Sequence, residues 1–146
     1  MRHLAAAILA LMPLPVLACG AKVCLVDPES LVLPEIINFT DTRSGFGPGH
    51  PINGVLALAG ARFGERFAGQ TLKTTGAHDA VEGPAYSPLT LLAGAQGQNL
   101  SVVRFMGVSV LNGYGQAGFP NRDGQGEGAI AVLFDEDQSA LSIDLR

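Results

Sequence analysis

The chain has 146 residues, one domain's worth at roughly 100–200 residues per domain, with 47% apolar residues, 15% charged residues and a formal net charge of −4. That balance excludes a disordered chain and a strongly charged nucleic-acid binder, and two cysteines exclude a zinc-finger array and a disulfide-dense miniprotein. Glycine, at 19 of 146, is nearly twice its usual share of about 7%, which suits a turn-rich, all-β chain.

Residues 1–18 read as a signal peptide. Met1, Arg2 and His3 form a short basic region, Leu4 to Met12 an apolar run, and Pro13 and Pro15 end it before Val16-Leu17-Ala18. The run is too short to cross a membrane, which takes about 20 apolar residues. Removing it leaves 146 − 18 = 128 residues with 8 basic and 13 acidic side chains, net −5. No basic cluster survives, so nucleic acid is not expected as a partner. Cys19 directly follows Ala18, and Val16-Leu17-Ala18-Cys19 resembles the lipobox of bacterial lipoproteins. Lipidation of Cys19 would be the chain's one membrane contact. The rival readings are a Cys19–Cys24 disulfide in an oxidising compartment, and cleavage after Ala21 that leaves Cys24 alone. The expected location is the periplasm, the outer membrane through that anchor, or the exterior.

Residues 19–34 follow as a linker, proline-bearing from Asp27 on, and residues 35–146 as the folded domain. Glu35 to Thr40 reads as a strand, Thr42 to Asn53 as a loop, and Val55 to Leu58 as a short apolar run. Phe63 and Phe67 sit four apart, but Gly64 between them weakens a helix. Thr71 to Thr75 alternates as a strand, and His78 to Pro88 reads as a second loop. Leu89–Leu92, Leu100–Met106 and Val108–Leu111 are further strands, and Asn112–Gly128 is the longest loop. Ala129–Phe134 and Ala140–Leu145 read as a hairpin across Asp135–Ser139. Seven or more short strands with regular turns predict a β-sandwich or jelly roll. The strand at 140–145 ends the chain with an open edge, which leaves two alternatives: a small sandwich, or a domain whose second half is missing.

Chemical motifs are few. Gly113-Tyr-Gly-Gln-Ala-Gly118 matches G-x-G-x-x-G, yet Phe119-Pro120 follows where a dinucleotide site needs a helix. His50 and His78 have no serine on a G-x-S-x-G turn to activate, so a hydrolase triad is not expected. Glu35, Glu65, Asp123 and Glu127 could supply paired carboxylates, but Glu65 reads more simply as a surface partner of Arg62 or Arg66. Asp135-Glu136-Asp137 forms a tight acidic turn. It lacks the glycine and glutamate of an EF-hand at the required offsets, which leaves an irregular calcium site or a solvated turn. The 112–128 loop gathers Tyr114 and Phe119 with Asn112, Asn121 and Asp123. Aromatic faces and amide or carboxylate groups together suit a sugar, whose C–H face stacks on a ring while its hydroxyls hydrogen-bond. The competing reading has Phe119 plugging the core and the rest facing solvent.

Ile36–Asp41, Phe63–Gln70, Pro88–Gly94 and Ala129–Asp135 continuing to Asp144 together resemble a group of secreted bacterial β-sandwich proteins of lectin-like or carbohydrate-binding type. Many of these carry a PEP-CTERM-type sorting tail, and none is read within these 146 residues. The resemblance implies a non-enzymatic exported domain that binds glycan or another envelope component, with no catalytic residue to carry over. A structural or matrix protein without a discrete ligand is the alternative, and a secreted hydrolase ranks third. The acidic net charge favours a neutral or mildly cationic glycan.

Overall fold

The computed structural model describes residues 24–39, 49–76, 78–122 and 126–145. Residues 1–18, read as a signal peptide, together with Cys19, the 42–48 part of the first loop and Asp123, lie outside these residues.

Residues 24–32 are the described part of a first unit and residues 33–145 of a second. In the first, Pro28–Ser30 makes one turn of 3-10 helix. Asp27 caps it, its Oδ1 accepting the Glu29 N–H at 3.0 Å. Cys24 is disulfide-bonded.

The second unit is all-β. Its strands are β1 (His50–Ile52), β2 (Leu56–Leu58), β3 (Ala61–Gly64), β4 (Arg66–Phe67), β5 (Thr71–Thr75), β6 (His78–Glu82), β7 (Leu91–Leu92), β8 (Leu100–Phe105), β9 (Val108–Gly113) and β10 (Ala131–Phe134). One antiparallel sheet has the order β1-β8-β9 and another β10-β3-β2. Two smaller sheets pair β4 with β7 and β5 with β6.

Period-2 alternation sets which residues turn inward. Ala61 and Phe63 of β3 are buried while Arg62 between them faces solvent. Ile52, Leu100 and Val102 from the first sheet join Leu56, Ala61 and Phe63 from the second in one buried cluster. Leu111, Val132 and Phe134 pack against it, giving the sandwich-like arrangement that the short strands anticipated. Burying a side chain such as Phe63 stabilises the fold by roughly 2–3 kcal/mol.

Two hairpins close through two-residue turns, Ala59-Gly60 between β2 and β3 and Met106-Gly107 between β8 and β9. Both residues of each turn have positive φ: 48° and 73° in the first, 47° and 88° in the second. These are type I′ turns, whose twist matches that of the strands. Glycine fits the second position without strain, whereas Ala59 and Met106 carry a Cβ into the left-handed region.

Four readings need correction. Residues 35–39 form no strand, although Ile37 and Phe39 pack on the core and Phe39 meets Phe63 edge-on at 5.6 Å. The alternation there marked an inward face without a sheet partner. His50–Ile52, placed in a loop, is β1, because it lies in register against Leu100–Val102. His78–Glu82, also placed in a loop, is β6. Its polar residues have low strand propensity, but each faces a residue of β5, with Thr74 Oγ1 donating to Asp79 Oδ1 at 3.2 Å and Lys73 Nζ lying 3.7 Å from Glu82 Oε1. Residues 140–145 form no strand, and β10 pairs with β3 rather than with them.

Candidate functional site

The acidic turn after β10 forms one wall of an open cleft. Asp135 extends the β10–β3 ladder by one bond, its N–H donating to Gly60 O at 2.9 Å. Arg62, directed outward by β3, donates from Nε to Asp135 Oδ1 at 3.0 Å. Gln138 Nε2 donates to Glu136 O at 3.0 Å and tightens the turn. Glu35, Ile36 and the Ala59-Gly60 turn complete its lining. The cleft encloses about 530 Å³.

Glu35, Asp135 and Glu136 thus share one concavity with Gln138 and with Ile36, which is 83% exposed. Carboxylates accept hydrogen bonds from hydroxyl and ammonium groups, the glutamine amide both donates and accepts, and isoleucine offers apolar contact. That set suits a polyol or a cationic ligand and disfavours an anion. Asp137 does not line the cleft. Among the described residues no group of three His, Cys, Asp or Glu side chains is placed to hold a metal ion. Asp135, one of three residues considered for calcium, is paired with Arg62.

The 112–128 loop is built differently from a sugar platform. Tyr114 is only 1% exposed, so its ring is not available from solvent. Its N–H donates to Asn99 O at 3.0 Å, and its ring meets Phe119 edge-on at 5.4 Å and 66°. Phe119 is half-buried. Aromatic area drives both rings inward, and the loop's glycines let the backbone fold closely over them. Asn121 is exposed, its N–H donating to Gly118 O. Asn112 is partly buried opposite Ser101, and Asn112 Nδ2 and Ser101 Oγ are both buried without a partner. The loop brings Tyr114 and Phe119 together, but as packing rather than as a ligand surface.

Two polar residues matter more than their sequence context suggests. Asn99 is 1% exposed, and its Nδ2 donates to Ile52 O at 2.8 Å and Gly54 O at 2.9 Å while its Oδ1 accepts the Gly94 N–H at 2.9 Å. Its position just before an apolar strand was the available signal. Glu65, read as a surface residue, is 4% exposed and ion-paired with Arg66. Burial pushes its carboxyl above the ordinary carboxylate value; Arg66 opposes that shift and the charge of Asp79 adds to it.

Compared with known protein families, curated proteins and solved structures, the chain matches none of them.

Proposed function

We propose that residues 33–145 are the binding domain of an exported, non-enzymatic β-sandwich protein. Its ligand is a neutral or mildly cationic glycan of the cell envelope, held in the cleft between Glu35-Ile36 and Asp135–Gln138. The observation that carries this reading is the joining of three carboxylates, an amide and an exposed isoleucine around one open concavity. A glycan presents many hydroxyl donors and an apolar C–H face, and this lining answers both. An open site with few convergent groups supports weak binding, in the high-micromolar to millimolar range.

The test is a glycan array followed by calorimetric titration, with and without calcium, on residues 19–146 and on the Asp135→Asn/Glu136→Gln double variant. The double variant is expected to bind at least tenfold more weakly, and calcium to make no difference. Failure of the wild type to bind any glycan would overturn the reading. Export is tested separately: the intact mass of protein expressed with its leader should lack residues 1–18, and a soluble product retaining Met1 would refute it.

A structural surface protein without a discrete ligand is the second reading. The observation in its favour is the alternating, exposed trio Leu141, Ile143 and Leu145, at 55%, 66% and 85%. Contiguous exposed apolar surface marks contact sites between proteins.

A further inference from the structure

We infer that Tyr86 is a stacking platform for a single pyranose ring, a glycan contact separate from the acidic cleft. The inference rests on the glycan reading above and adds to it a site that the 112–128 loop was expected to supply.

The chain has two tyrosines. Tyr114 is 1% exposed and Tyr86 is 66% exposed. Exposure alone would be unremarked, since single apolar side chains are common on protein surfaces. What sets Tyr86 apart is its mounting. A Cβ added at Gly69 would lie 2.6 Å from Tyr86 Cδ1, 2.8 Å from its Cε1 and 2.8 Å from Pro84 O, so the ring rests directly on the Gly69 backbone. Gly69 has φ +92°, a conformation side chains rarely adopt, and any larger residue would lift the ring from its seat.

The seat itself is fixed. Tyr86 N–H donates to Ala68 O at 2.7 Å, and Ala68 N–H donates to Thr90 O at 2.8 Å. Gln70 joins the two sides of the support. Its Oε1 accepts the Phe67 N–H at 2.9 Å, and its Nε2 lies 3.5 Å from Gly83 O. One side of the ring is therefore held by backbone, and the exposed remainder faces solvent. A ring already seated on backbone loses less freedom when a ligand arrives, which is where a weak site gains affinity.

The occupant follows from size and surroundings. A stable protein interface buries roughly 1,200–2,000 Å² around a cluster of anchors, far more than one ring provides. A pyranose C–H face matches one phenol ring in area, and its hydroxyls can remain hydrated. The platform adjoins the end of β4, whereas the acidic cleft adjoins the start of β3. The two contacts thus sit at opposite ends of the β3–β4 run, so loss of one leaves the other intact.

The experiment uses β-1,4-linked glucose and N-acetylglucosamine oligomers of three to six units as probes, read by saturation-transfer and amide-shift titration. Wild type, Tyr86→Phe, Tyr86→Ala and the Asp135→Asn/Glu136→Gln variant are compared after circular dichroism shows that each is folded. Tyr86→Phe keeps the stacking face and is expected to bind within twofold of wild type. Tyr86→Ala is expected to weaken binding at least fivefold and to abolish ligand-induced shifts at residues 68–70 and 83–87. Gly69→Ala, which displaces the ring while leaving the tyrosine in place, should behave as Tyr86→Ala does. If the wild type binds and Tyr86→Ala binds equally well, the platform is refuted while the glycan reading stands. If the wild type binds none of the oligomers, the platform is refuted for these sugars, and the array decides the broader reading.

Discussion

Replacing Asn99 tests how this small fold is held together. Its carboxamide makes three hydrogen bonds, to Ile52 O, Gly54 O and the Gly94 N–H, from a side chain only 1% exposed. The Ile52 bond is fully buried and the other two are partly buried. In Asn99→Ala, the two partly buried groups recover some hydration, costing about 1 kcal/mol each. The Ile52 carbonyl is left dry and unpaired, at about 1–3 kcal/mol. The sum is roughly 3–5 kcal/mol, a large part of the 5–15 kcal/mol typical of a domain. At about 4 °C per kcal/mol for a domain of this size, the midpoint should fall by about 12–20 °C. Asn99→Asp keeps the acceptor for Gly94 but turns a carboxylate oxygen toward two carbonyls. It should be worse than alanine at neutral pH and recover in acid, when the protonated oxygen can donate to one of them. Urea and thermal unfolding followed by circular dichroism give both numbers. A loss below about 1 kcal/mol for Asn99→Ala, or an aspartate no worse than alanine at pH 7, would refute the role assigned to this side chain.

Two further outcomes follow from local features. Burial raises the Glu65 carboxyl, so the folded protein holds that proton more tightly than the unfolded chain does. The stability this confers is fully present below the ordinary carboxylate value and is lost as pH rises through the raised one. Glu65→Gln should remove that pH-dependent decline, and a difference in urea midpoint between the two proteins that stays constant with pH would contradict it. Met106 holds φ 47° at the first position of a type I′ turn, where asparagine is preferred. Met106→Asn should therefore stabilise the protein by about 0.5–1 kcal/mol, seen as a rise of a few degrees in melting temperature; a fall would show that the methionine makes a contact worth more than the strain.

The strands that could be read from the sequence are those whose partners left a mark on their own residues. Thr71–Thr75 alternates and is β5 as predicted, and Leu100 to Phe105 is β-branched or apolar at most positions because both faces of its first four residues are covered. β6 carried no such mark: His78, Asp79 and Glu82 gain their strand conformation only from the residues opposite. The 140–145 segment shows the reverse, a strand-like alternation that finds no place in either sheet. The acidic turn was legible as a turn, but Glu35-Ile36, which lines the same cleft, lies a hundred residues earlier and no local pattern connects them. Tyr114 and Tyr86 both sit in loops rich in glycine or proline. Tyr114 is buried against Phe119 whereas Tyr86 lies exposed on Gly69, and composition encodes neither placement.

The pairing of β10 with β3 bears on when this protein can fold. Ala131 to Phe134 lies against Gly64 to Ala61, and the Arg62–Asp135 bond spans 73 positions. The β5–β6 and β8–β9 hairpins can form as soon as their own residues emerge, but the second three-stranded sheet must wait for a strand made long after β3. Until then, the inner faces of β2 and β3 lack one of the walls that shelter them. Such long-range closure slows folding relative to local hairpins. It also keeps the chain open while it is being made, the state in which a polypeptide can be threaded through a narrow channel. Under the export proposed above, the late strand would make completion of the core wait on delivery.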